Sequence, residues 1–332
     1  MEATAMLNNP TDSVDISFAS YLAAREKTSK GHTISGVPDY AFDLDIEMRR
    51  RINAIPGITR FFKAITETYM PYYRQELSMH GVLCGPNQYP EIHEMGAECA
   101  RRLGIGIPQI YVKFDVVLNA YTYALENTEP IIVVTSPIVE RFSPGELKTV
   151  IGHECGHIHN LHGVYNVAAE VILQAVSGGA SAIPGLSAVV AFATTGVRIM
   201  FKDWSRCAEI TSDRAGLICS DSVRDAVMVD AKIAMGGGEA LKDINIDEYL
   251  KQIDTTQSTV GRYMEVLNTH PLLHKRILAT KLFSQSDVYH QWRPDQKTPD
   301  THTLPKAEID RRCREFISVF KKAKKQKGAP VK

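Results

Sequence analysis

The stretch GELKTVIGHECGHIHNLHG, near the middle of the 332-residue chain, places the tightest constraint on the fold. Residues four apart on an α-helix lie one above the other on the same face. If the stretch is helical, His153 and His157 aim two imidazoles at one point. Its opening supports a helix: in SPGE, Ser143 is the expected N-cap, Pro144 suits the first turn, and Glu146 closes a capping box. Glu154 projects beside the pair, close enough to reach a bound water without being forced to ligate. Two nitrogen ligands, an open position and a carboxylate base are what a zinc hydrolase needs. Gly156 fits the same reading, since a side chain there would crowd the sheet or the metal.

The third ligand sets the subclass. The elongated metzincin pattern needs a glycine seven and a histidine ten residues after the first histidine. Asn160 and Gly163 stand there, so that pattern is excluded. Downstream, DWSRCAEITSDRAGLIC puts Glu209 and Asp213 at i and i+4 on a second helix. Ala208, Ile210, Ala215 and Gly216 surround them, unlike a solvated acidic face. Glu209 is the expected third ligand, with Glu170 as the alternative. Asp213 is placed to accept the second N–H of a ligand histidine and fix its tautomer. His159 and His162 fall off the His153/His157 face and are expected at the surface.

Around this centre the pattern is mixed. DYAFDLDIEMRRRINAI, GITRFFKAITETYMPYYRQELSMH and YPEIHEMGAECARRLGI have helical spacing. PQIYVKFDVV, NAYTYAL and PIIVVTS are β-branched and aromatic, and read as three strands of one small sheet. Hydrophobic content of 44%, charged content of 23% and net charge +0 describe a globular protein with no global field toward nucleic acid. Residues 171–197 carry no charge, but SGGASAIPG divides them into pieces shorter than the ~20 residues of a membrane span. A packed helical pair is expected there. Six cysteines lack framework spacing, and the first residues lack a signal-peptide pattern, so a cytoplasmic protein is expected.

The motifs together resemble a known family. HECGH followed by EITSDRAG is similar to the HExGH…ExxxD signature of the HtpX and CAAX-prenyl-protease family of gluzincin metallopeptidases. The stretch PQIYV…NAYTY…PIIVVTSPIVERFSPGELKTVIGHECGH, as a whole, resembles that family's succession of edge strand, core strand and active-site helix. NTHPLLHKRI resembles its C-terminal THP…RI element. The likeness runs from about residue 37 to about residue 282. It lacks the family's early membrane spans and so is closest to a soluble branch. The resemblance implies that His270 lies near the metal, either as an oxyanion donor or as a resting-state ligand. The implied donor role of His270 is to a developing oxyanion. Asn119 and Ala120, on an expected edge strand, are placed to pair with an extended substrate backbone.

The expected architecture is α+β, a mostly helical zincin (gluzincin) domain with a small β-sheet beside the HExxH helix. A polar lead over 1–36, a peptidase domain over 37–290 and a C-terminal extension over 291–332 are expected. In that extension Ile309, Cys313, Phe316 and Phe320 share one face of a basic helix. The helix is expected to pack on its own domain, with weak membrane-surface contact as the alternative. The expected activity is cleavage of protein or peptide substrates with one Zn2+ per chain. Alternatives are a non-cleaving zinc-stabilised binding or chaperone-like module and a membrane-surface quality-control protease. The presence of Glu154 argues against the non-cleaving module, because a purely structural site has no use for a base.

Overall fold

The computed structural model describes residues 32–34, 37–124, 129–174, 195–237, 241, 244–251 and 271–318. The three expected strands form as β4 (Gln109–Lys113), β5 (Ala120–Tyr123) and β6 (Ile131–Thr135). They share one four-stranded sheet of order β3-β4-β6-β5, where β3 is Gly81–Leu83. β4 and β6 run parallel, with Ile110 opposite Ile132, while β3 and β5 are antiparallel to their neighbours. β5 is therefore an edge strand. At two or three residues, β3 and the ladder β1 (Thr33–Ile34) with β2 (Val37–Pro38) are too short to show a period in the sequence.

All five residues of β6 are buried, as expected of a β-branched strand covered on both faces. Alternation sends Ile132 and Val134 into the main core, and Ile131 and Val133 to the opposite face. There they meet Leu77 of α2 (Ile58–His80), which follows α1 (Asp43–Asn53). α3 (Pro90–Leu103) precedes β4, and the short α4 (Ser136–Arg141) leads from β6 to the central helix α5 (Pro144–His159).

The expected capping box is present in α5. Ser143 Oγ accepts from the Glu146 amide at 3.3 Å, and Glu146 Oε2 accepts from the Ser143 amide at 2.7 Å. After α6 (Gly163–Gln174), the long α7 (Thr195–Cys219) makes the most extensive packing contact on α5. The two approach closely because glycines line the crossing. A Cβ on Gly152 would lie 2.4 Å from Cys219 Cβ, and one on Gly156 would lie 2.6 Å from Ala215 Cβ. Gly156 thus makes room for α7, not for the sheet or the metal. Residues 175–194, the middle of the uncharged stretch, lie outside the described residues, and so does the helical pair expected there.

α8 (Val223–Met235), α9 (Ile246–Lys251), α10 (Leu273–Phe283), α11 (Asp287–Trp292) and α12 (Lys306–Ile317) complete the described α-helices. α12 spends its apolar stripe on the common core, where Ile309, Cys313 and Ile317 are buried; Phe320 lies outside the described residues. Its basic side chains are ion-paired, Arg311 and Arg312 with Glu308 and Arg314 with Asp43 of α1. A buried pair also ties α12 to α7. Arg214 reaches Asp310 at 2.6 Å and Tyr40 O at 3.0 Å, lying over the rings of Phe42 and Phe283.

Removing one partner of such a pair leaves an uncompensated buried charge. Asp310→Ala is expected to cost about 3–5 kcal/mol of unfolding free energy, measured by urea titration. A loss under about 1 kcal/mol would show that α12 is an accessory to the fold.

Candidate active site

α5 and α7 bring together the residues that the spacing singled out. His153 Nε2 and His157 Nε2 lie 3.2 Å apart. Glu209 Oε2 is 3.6 Å from the first, and its Oε1 is 3.5 Å from the second. Among the described residues these three form the one group able to hold a metal ion. A tetrahedral ion with ligand bonds of about 2.0–2.1 Å needs ligand atoms about 3.3–3.4 Å apart. The triangle fits. The side chain of the alternative ligand, Glu170, lies outside the described residues.

Glu154, buried beside the triangle, accepts a hydrogen bond from Thr122 Oγ1 of β5 at 2.6 Å on Oε2. Thr122 was not foreseen; its only sequence signal is a hydroxyl on a strand of aromatic and small residues. Asp213 sits where expected, with Oδ1 2.9 Å from His153 Nδ1. The surprise is its second partner. Arg276 on α10 grips Asp213 through Nε (2.9 Å) and Nη2 (2.5 Å), and reaches Glu209 Oε2 at 3.3 Å. Asp213 is buried, but the Arg276 guanidinium and the His153 hydrogen bond hold it below the usual carboxylate range. Asp230 on α8 is pushed up to about 8, chiefly by burial, despite its own contact with Arg276.

These groups line a cleft of about 810 Å³ whose other wall is β5. Both Asn119 and Ala120 line it, with different backbone roles. The Asn119 amide donates to Thr135 Oγ1 and its carbonyl accepts from the Thr135 amide, both at 3.0 Å. Ladder alternation then turns the Ala120 amide and carbonyl away from β6. His270 lies outside the described residues; its neighbour Pro271 lines the cleft.

His159 and His162 are not surface residues. His159 Nδ1 meets Tyr40 Oη at 3.0 Å in a buried cluster. His162 is fully buried, with Nδ1 3.0 Å from His157 Nδ1 and Nε2 3.1 Å from Asp45 Oδ2. Helical periodicity does not apply past the end of α5, which closes in a Schellman turn. The His162 amide bonds to His157 O at 2.9 Å and the Leu161 amide to Ile158 O at 3.1 Å. Leu161 takes the left-handed conformation, with φ of 58°, and folds His162 back beneath His157.

Residues 86–282 match the sequence model of Peptidase family M48. The chain belongs to that family. It is therefore a metalloprotease by descent, with protein or peptide substrates. It is similar to a plastoglobule-localized metallopeptidase 48, chloroplastic, of Arabidopsis thaliana. That match is 31% identical over 244 residues, covering 71% of this chain and 68% of the relative. A protease HtpX homolog of Persephonella marina is 32% identical over 124 residues, 36% of this chain and 43% of that one. Against the crystal structure of S. mikatae Ste24p the TM-score is 0.42 at 16% identity, covering 71% of this chain and 61% of that one, too loose to argue from.

The cytoplasmic placement does not stand, because the plant relative is by name chloroplastic and plastoglobule-localized. Cysteine usage was a poor guide for a physical reason. All six thiols are free and buried, so they report packing and not the surrounding redox poise. Among the described residues no helix is long and apolar enough to cross a membrane.

Burial lowers His162 from 6.5 to about 4, with Arg49 and His157 acting in the same direction and Asp45 opposing. The folded protein therefore keeps His162 neutral where an unfolded chain would protonate it. Its contribution to stability is complete above pH 6.5 and is lost as pH falls toward 4. A shift of that size corresponds to about 3 kcal/mol. In chelator-treated protein, unfolding free energy is expected to drop more steeply between pH 6.5 and 4 in wild type than in His162→Gln. Equal slopes would show that His162 titrates normally.

Proposed function

We propose that this chain is a zinc endopeptidase in which His153, His157 and Glu209 hold the ion and Glu154 is the general base. The observation that carries the reading is the nitrogen–nitrogen–oxygen triangle with edges of 3.2–3.6 Å beside a buried carboxylate. A closed structural site has four protein ligands and no adjacent base. When bound, zinc polarises a carbonyl and lowers the pKa of water to about 7.

The remaining steps belong to side chains. Glu154 accepts the proton of the attacking water and returns it to the leaving amine. The Thr122 hydroxyl, on the edge strand β5, fixes one carboxylate oxygen of Glu154 and so holds the base in one orientation. Asp213 orients His153, and Arg276 offsets the negative charge gathered around Glu209 and Asp213. An extended substrate adds to the outer edge of β5 through the Ala120 backbone, with Asn119 beside it in the cleft. His270, which precedes Pro271, remains the proposed donor to the oxyanion.

Glu154→Gln is expected to keep zinc at one per chain while peptide hydrolysis falls by about 10²–10⁴-fold, the usual worth of a general base. Turnover within about tenfold of wild type would remove Glu154 from that role. His157→Ala is expected to abolish stoichiometric zinc in elemental analysis; retention of full metal content would overturn the ligand set.

A further inference from the structure

We infer that Asp45 and His162 are positioning residues that set the tautomer of His157 and so decide whether its Nε2 can take a metal ion. The inference rests on the reading of His157 as a ligand. His153 is served directly by the carboxylate of Asp213. Among the described residues no carboxylate touches the Nδ1 of His157; a second histidine lies there instead, with a buried aspartate behind it.

The direction of these hydrogen bonds follows from what surrounds Asp45. Its Oδ1 accepts from Trp204 Nε1 at 3.0 Å and lies 3.2 Å from Arg49 Nε. Its Oδ2 accepts from Thr211 Oγ1 at 2.8 Å. Ringed by donors and a guanidinium, Asp45 is an ionised carboxylate, which only accepts. His162 Nε2 must therefore carry a proton and donate it to Asp45 Oδ2.

A neutral imidazole has one N–H, so His162 Nδ1 is left bare and acts as an acceptor. At 3.0 Å from it, His157 Nδ1 must be the donor. With its proton on Nδ1, His157 presents a lone pair on Nε2, the atom that faces His153 and Glu209. The polarity thus runs from Asp45 on α1, through His162, to the ligand atom on α5. The alternative, a charged His162 with both nitrogens protonated, would place a full charge at a site with no exposure.

The backbone is arranged to hold this chain. The left-handed Leu161 and the bond from the His162 amide to His157 O bring the two rings together, and Arg49 Nη1 donates to Asn160 O at the same helix end. A left-handed residue with a side chain is strained. Glycine is the usual occupant of that position.

The test is a zinc titration of the full-length chain against a chelating indicator, with wild type, His162→Gln and His162→Leu compared. Glutamine carries an acceptor oxygen and a donor nitrogen spaced like the two ring nitrogens, so it preserves the polarity. Leucine fills the space and offers neither. His162→Leu is expected to bind zinc about 10–100-fold more weakly, the usual effect of losing an outer partner of a ligand histidine. His162→Gln is expected to stay within about threefold of wild type, a small part of that range.

Wild-type affinity in His162→Leu would overturn the inference, as would an equal loss in both variants, which would mean that packing alone matters. Wild type that binds no zinc would overturn the ligand reading itself. If His162→Leu does not fold, ring ¹⁵N spectra of histidine-labelled, zinc-loaded wild type decide the matter. A protonated Nδ1 on His157 with a bare Nδ1 on His162 supports the inference, and the reverse refutes it.

Discussion

Helices α5 and α7 cross so closely that no side chain fits between them at Gly152 or Gly156. Gly216 on α7 is nearly as tight, since a Cβ there would lie 3.1 Å from Thr149 O and 3.4 Å from His153 Cβ. The site depends on this approach. His153 and His157 lie on one helix and Glu209 and Asp213 on the other, so the distance between the helices sets the edges of the ligand triangle. Interiors are close-packed and resist small increases in volume, so adding one methyl at the crossing would displace the ligands along with the helices.

The charge around that crossing is balanced in layers. Glu209, Asp213 and Asp230 all meet the buried guanidinium of Arg276, which reaches in from α10. On the other side, Asp45 collects Trp204, Thr211, Arg49 and His162, which ties α1 to α7 and to the end of α5. Buried networks of this kind make a geometry rigid, because breaking one contact exposes an unpaired polar group to an apolar interior. The C-terminal helix joins through Asp310 and Arg214.

Much of the site was legible because helical spacing is a local property. The i and i+4 pairs His153/His157 and Glu209/Asp213 follow from the backbone period, and the capping box from three adjacent residues. Strand β6 could be read from its run of β-branched residues, and its covering on both faces follows from the same run. The errors arose where a local rule was carried past its range. Continuing the period of α5 beyond its C-cap puts His162 at the surface, but the chain turns at Leu161. His159 was assigned there without knowledge that Tyr40 covers it, and Gly156 was matched to the wrong neighbour. Arg276 and Thr122 lie 63 and 32 residues from the side chains they hold, too far for any spacing rule.

By itself, the sequence determined which residues could meet on one helix face, where the central helix begins, and that an α+β domain with a small sheet would carry it. Those outcomes depend on hydrogen bonds and periods spanning a few residues, and so are written in short segments. Only the tertiary structure decided that Glu209 comes within 3.5 Å of His157, which arginine meets the carboxylates, and which histidine stands behind His157. Those outcomes depend on the packing of elements distant in the chain, where side-chain volume and the need to pair every buried polar group select one arrangement.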